Sequence, residues 1–175
     1  EQNDKILAFI DSLLKLSRAG RVIDNKINME IDNIFNLVEA EIKNTCKSIE
    51  FSYEITNKTV WGDLDSIYLL IRNIFENAVK YRDPNKEIII INVKCYRNEN
   101  HSIISISDNG VGIKPEDYDK VFKPGVTLEK NKGTGFGLAI AKRIVTAHGG
   151  VISVDSKGQN MGTTFIINLP LPETE

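Results

Sequence analysis

Cysteine, tryptophan and histidine are scarce: 175 residues hold two, one and two of them. Cys46 and Cys95 are far apart and have no metal-ligand spacing, so they read as reduced, buried thiols rather than a disulfide framework or a zinc site. Positive charge is not in excess. The 22 Lys and Arg against 24 Asp and Glu give a formal net charge of −2, which argues against a nucleic-acid partner. No apolar run approaches the ~20 residues that cross a bilayer, and there is no signal-peptide pattern. Two phosphate-binding strings are missing as well. There is no Gly-x4-Gly-Lys-Ser/Thr loop, and Gly110-Val-Gly112 follows a late strand rather than the first βα turn of a dinucleotide fold.

What remains is an ordinary globular composition, 41% hydrophobic and 26% charged, long enough for one sizeable domain with a short appendage. The chain starts at Glu1 rather than Met, which leads us to expect a piece of a longer protein. Ile6, Leu7, Ile10, Leu13 and Leu14, with Ser17, fall on one face of a first helix that Ala19-Gly20 would stop. A seam this apolar outside the main domain calls for a partner helix, although packing on the domain's own surface would also cover it.

A second helix is expected over Ile31–Lys47, then a strand at Ile49–Ile55 and a short one at Thr59–Trp61. Asp63 reads as the N-cap of a third helix that runs to about Tyr81, with Pro84 barring its continuation. Glu87–Tyr96 and Ser102–Ser107 read as a hairpin around Arg97–Asn100. Residues 114–132 show little periodicity and read as a loop, unusual at that length unless functional. A last helix to His148 precedes strands at Val151–Asp155 and Thr163–Leu169. This pattern predicts an α+β fold: a two-layer sandwich whose mixed, mostly antiparallel sheet is covered by three helices on one face.

Two glycine-rich turns carry the chemistry, Asp108-Asn-Gly110-Val-Gly112-Ile113 and Gly133-Thr134-Gly135-Phe136-Gly137-Leu138. The second runs into a helix, whose N-terminus offers phosphate oxygens free N–H groups and the positive end of a dipole. Asp108, closing an apolar strand, is placed to accept a hydrogen bond from the exocyclic amine of adenine; equally, Asp-Asn-Gly is turn chemistry by itself. On the third helix Asn73, Asn77 and Lys80 share a side, at i, i+4 and i+7. Amide oxygens suit magnesium, and Lys80 would neutralise phosphate charge. A solvated polar face is the plainer alternative.

In this order and spacing, the motifs resemble those of the sensor histidine kinases' ATP-binding domain, whose superfamily includes DNA gyrase B, Hsp90 and MutL and shares the Bergerat-type fold. Asn73-Ile-Phe-Glu-Asn77-Ala-Val-Lys80-Tyr81 is similar to its asparagine box, the two glycine turns to its glycine boxes, and Val121-Phe122-Lys-Pro to the phenylalanine box of its lid. Trp61-Gly62-Asp63 resembles the Gly-Asp before the asparagine helix, and Asp11–Gly20 the end of a dimerisation helix. The resemblance covers residues 27–170 and divides the chain into 1–20, a helix end from a dimerisation and phosphoacceptor domain, and 21–175, a catalytic domain with its lid at 114–132.

The resemblance implies ATP and Mg2+ as cofactors. Asn77 would coordinate the metal, Asn73 would support metal or phosphate, and Lys80 would contact phosphate. Tyr81 would line the base or ribose side, with Ile113 and Leu138 nearby. Asp108 would bind the adenine amine, with Gly110 and Gly112 allowing close approach. Gly133, Thr134, Gly135, Phe136 and Gly137 would wrap the triphosphate at the lid's hinge, and Phe122 would anchor the lid. It further implies a response regulator as partner, a homodimer formed through the N-terminal helix, and a cytoplasmic domain in a full-length protein that is open to a membrane anchor.

Two departures accompany it. ATP-hydrolysing relatives carry a water-activating glutamate where this chain has Asn73, which suits phosphoryl transfer to a histidine rather than to water. Glycine at Gly125 replaces a second lid aromatic. Neither His101, expected in an exposed hairpin turn, nor His148, expected as a cationic residue at a helix end, sits in a phosphoacceptor string. The acceptor histidine is therefore expected before Glu1. Two other readings stand beside this one: an anti-sigma-factor-like serine kinase of the same superfamily, and a nucleotide-insensitive docking module.

Overall fold

The computed structural model describes residues 2–19, 23, 25–129 and 132–172. In chain order the elements are α1 (Gln2–Arg18), β1 (Ile27–Glu30), α2 (Ile31–Thr45), β2 (Ile49–Ile55), β3 (Thr59–Gly62), α3 (Leu64–Lys80), β4 (Ile89–Asn98), β5 (His101–Asp108), α4 (Gly137–Ala147), β6 (Val151–Asp155) and β7 (Thr164–Pro170). The expected boundary between residues 20 and 21 lies outside the described residues, as do lid residues 130 and 131 and the end of the C-terminal tail.

The main sheet has the order β2-β4-β5-β7-β6, antiparallel except for the parallel pair β2 and β4. Strands of period two bury one face. Ile89, Ile91, Val93 and Cys95 of β4, Ile104 and Ile106 of β5, and Phe165, Ile167 and Leu169 of β7 all point inward. The amphipathic helices α2, α3 and α4 close over them through residues such as Phe35, Phe75 and Ile144, in one continuous core. Phe75 of α3 packs between Phe35 of α2 and Phe51 of β2, with ring centroids 6.3 and 5.2 Å away. This is the expected two-layer sandwich, and both cysteines are buried and free.

Three local readings change. Residues 27–30, given no structure in the sequence reading, form β1 and pair with β3 as a separate two-stranded ribbon, Ile27 opposite Gly62. His101 is not in the hairpin turn; it opens β5, opposite Asn98 and Pro170, because the turn is two residues tighter than the polar run Arg97–Asn100 suggests. The lid segment contains a short 3-10 turn at Pro115–Asp117 and buries Val121 and Phe122, so it is a packed loop.

Candidate active site

The site lies where β5 ends, α3 ends and α4 begins. α3 starts on Asp63, whose side chain accepts from the Ser66 N–H at 2.9 Å, as expected of the cap. Its apolar stripe, Ile67, Leu70, Ile71, Ile74, Phe75 and Ala78, fixes its rotation against the sheet. That rotation turns Asn73, Asn77 and Lys80 toward the cleft, while Glu76 is exposed and held by the Arg72 guanidinium at 2.8 Å.

Two adjoining chambers meet at Asn77, Tyr81 and Leu138. The first, about 420 Å3, is lined by Asp108, Gly112 and Ile113 with apolar walls from Val111, Val121 and Leu128. Asp108 is largely buried. Its Oδ1 accepts from Gly110 N–H at 2.8 Å and Thr163 N–H at 3.2 Å, and among the described residues both bonds fall on that oxygen. Burial pushes the Asp108 carboxyl up to about 6, against the opposing pull of those N–H groups and of Lys86.

The second chamber, about 310 Å3, is lined by Asn73, Lys80, Gly133, Thr134, Gly135 and Gly137, and by Ser12 and Lys15 of α1. The Lys80 ammonium lies 4.8 Å from the Tyr81 ring centre, and Lys132 lies 5.5 Å from the same ring. Burial first, and then repulsion from Lys132, lower the Lys80 pKa. Lys132 pairs in turn with the Glu129 carboxylate at 2.7 Å.

Gly110, Phe122 and Phe136 sit behind the chamber walls rather than in them. A Cβ on Gly110 would collide with the Tyr81 carbonyl oxygen, the group that accepts from Val111 N–H at 3.0 Å. That bond ties the first glycine turn to the end of α3. Phe122 packs edge-on to Phe165, centroids 6.4 Å apart, and so pins the lid to β7. Phe136 is buried edge-on to Phe9 of α1, at 5.4 Å.

Sequence reasoning missed Thr163, Tyr118 and Ser156. The Tyr118 hydroxyl donates to Ser156 C=O and accepts from Ser156 N–H, both at 2.7 Å, while Ser156 Oγ accepts from Ile113 N–H at 3.1 Å. Lid base, first glycine turn and β6–β7 loop are thereby joined. No local motif marks such contacts, since the partners are 38 or more residues apart.

His148 corrects another expectation. It is buried rather than cationic at a helix end: Asp63 N–H donates to its Nε2 at 3.1 Å, and its Nδ1 lies 2.8 Å from Ile144 C=O. Those partners fix the neutral ring with its proton on Nδ1, and burial, more than any other cause, lowers its pKa. The ring also explains Gly62, where a Cβ would come within 3.0 Å of it.

The family described as histidine kinase-, DNA gyrase B- and HSP90-like ATPase matches residues 62–173, and the chain belongs to it. Among curated relatives, the sensor protein RprX of Bacteroides fragilis is 36% identical over 149 residues, covering 82% of this chain and 28% of that protein. The sensor protein SrrB of Staphylococcus aureus is 33% identical, covering 99% of this chain and 31% of that protein. The chain thus spans under a third of the length of these relatives. Of solved structures, the mycobacterial sensor histidine kinase MprB superposes with a TM-score of 0.75 at 28% identity, covering 85% of this chain and all of that one. The full-length kinase ShkA, solved with AMPPNP, shares the fold over 99% of this chain, with a TM-score of 0.82 at 22% identity. These likenesses favour the sensor-histidine-kinase catalytic domain over the serine-kinase and docking-module readings.

Proposed function

We propose that this chain binds Mg-ATP in the two chambers and transfers the γ-phosphate to a histidine supplied by another segment or chain. One observation carries the reading: Asp108, a buried acceptor, and the Asn73, Asn77 and Lys80 face open onto a single cleft, one at each end. Asp108 Oδ2 accepts the adenine amine between the apolar walls. Asn77, at the junction, holds Mg2+ through its amide oxygen. The donor set fits that ion, which takes few protein ligands and completes its shell with water and phosphate oxygens. Asn73 Nδ2 already donates to Leu69 C=O at 2.7 Å, which turns its oxygen toward Gly137 and the chamber. Lys80 neutralises phosphate charge. The bound metal supplies charge stabilisation; the chain's own residues orient the nucleotide and exclude water.

Neither histidine here suits the acceptor role. His148 is buried with both nitrogens engaged, and His101 opens β5, about 23 Å from Asp108 at ~3.3 Å per residue. Glu76, bound to Arg72, is a poor base for water, so phosphoryl transfer to a neutral imidazole is favoured over hydrolysis. The reading carries a response regulator as the next acceptor, a homodimer through α1, whose residues Ile6, Leu7, Ile10, Leu13 and Leu14 are exposed, and a cytoplasmic site where ATP is available. The test is γ-labelled ATP with a histidine-bearing dimerisation segment added in trans. Acid-labile, base-stable label on that segment is expected. Acid-stable label on serine, or none at all, contradicts the reading.

A further inference from the structure

α1 meets the rest of the chain on a face distinct from its apolar seam. Phe9 packs edge-on to Phe136, Ser12 Oγ lies 3.1 Å from Thr134 Oγ1, and Arg143 donates to Leu16 C=O at 3.1 Å. Leu16 is buried there. At 100° per residue, Phe9, Ser12 and Leu16 form one stripe, centred roughly 125° round the helix from the seam. Docking on the second glycine turn and α4 therefore leaves the seam free for a partner helix. It also brings Ser12 and, one turn on, Lys15 into the wall of the phosphate-side chamber, opposite Asn73 and Lys80.

We propose that Lys15 is a nucleotide-phosphate contact, so that a bound triphosphate and the docked position of α1 stabilise each other. This rests on the chamber taking ATP. Lys15 adds a cation from α1 to the positive side of the cleft, where Lys80 and Lys132 already lie near each other. Its present partner is Asp11, at 2.6 Å in an exposed i,i+4 pair, a weak interaction that a multivalent anion outcompetes. The carboxylate on the same rim, Glu76, is already taken by Arg72. Ser12 Oγ donates to Ala8 C=O at 2.7 Å and so accepts from the Thr134 hydroxyl at 3.1 Å, which links helix position to the lid's hinge. Occupancy by a triphosphate then reads out as helix docking, because each must stabilise the other equally.

Calorimetry on this whole chain with Mg-AMPPNP and Mg-ADP, paired with hydrogen exchange of the α1 amides, tests the proposal. Lys15→Ala is expected to weaken Mg-AMPPNP about tenfold, and Lys15→Arg to restore most of the loss. Asp11→Ala removes the same ion pair but keeps the cation, and should bind at least as tightly as wild type. In wild type, Mg-AMPPNP should slow exchange over α1, and Lys15→Ala should abolish that slowing. If Lys15→Ala binds Mg-AMPPNP like wild type, or α1 exchange ignores nucleotide in wild type, the proposal is overturned while ATP binding stands. If wild type binds no Mg-AMPPNP, the ATP reading falls and takes this one with it.

Discussion

The two chambers of the cleft are built on opposite plans. On the Asp108 side, backbone N–H groups from two separate segments converge on one carboxylate oxygen, and apolar residues close the walls. Its geometry is fixed before any ligand arrives. On the Lys80 side the groups are long side chains at helix turns, with like charges held near each other and a lowered lysine pKa. Lys132 is itself paired with Glu129 at 2.7 Å, and Lys80 is the cation that an entering anion would neutralise. On the proposed reading, shape and one hydrogen bond would select the base, and the cationic side would draw in and orient the phosphates.

This contrast can be broken from either end. The largest effect is expected at Asp108: Asp108→Ala should weaken Mg-ATP about 100-fold, the loss of a charged hydrogen bond in a buried site, read by calorimetry. Asn77→Ala should leave adenosine binding intact but remove most of the gain that Mg2+ brings to ATP, about 30-fold, measured by titration with and without the metal. Lys80→Ala should cost about tenfold for ATP and little for adenosine, and should flatten the salt dependence of binding.

Acidity sharpens the comparison further. Asp108 accepts from an amine most strongly as the carboxylate, and its pKa is raised to about 6. ATP affinity should therefore fall below pH 6, by about tenfold at pH 5. A flat profile from pH 5 to 8 would contradict the assigned role. For stability the signs differ. Asp108, raised, contributes stability below the ordinary carboxylate range that is lost as pH rises through about 6. His148, lowered, contributes stability above the ordinary histidine range that is lost as pH falls through its folded value. His148→Ala should destabilise by about 2 kcal/mol at neutral pH, because it empties a buried site and orphans the Asp63 N–H. Melts of the variant should also show less acid sensitivity than wild type.

The sequence made much of this readable where the signal is local. The strand Ile49–Ile55 alternates cleanly, Asp63 caps α3, and the asparagines and glycine turns announce themselves by spacing. Less was visible wherever a partner lies far along the chain. β1 is four residues long and is a strand only because β3 pairs with it. The parallel pairing of β2 with β4 depends on α3 crossing between them. Thr163 reaches Asp108 across 55 residues, and His148 reaches Asp63 across 85. The polarity of His148 suggested a solvated helix end, but the fold buries it by supplying one donor and one acceptor in the right places. Nothing in the sequence singles out Ser12 and Lys15, and only the docked position of α1 puts them in the chamber.

A competition titration of the wild-type chain with Mg-ATP and Mg-GTP shows whether this cleft reads adenine and holds its phosphates. Guanine carries a carbonyl oxygen where adenine carries the amine, so Asp108 would face a second acceptor. Saturable Mg-ATP binding is expected, with GTP at least about 30-fold weaker, the cost of apposing two unsatisfied acceptors. Equal affinity for the two nucleotides, or no binding of ATP, would contradict it.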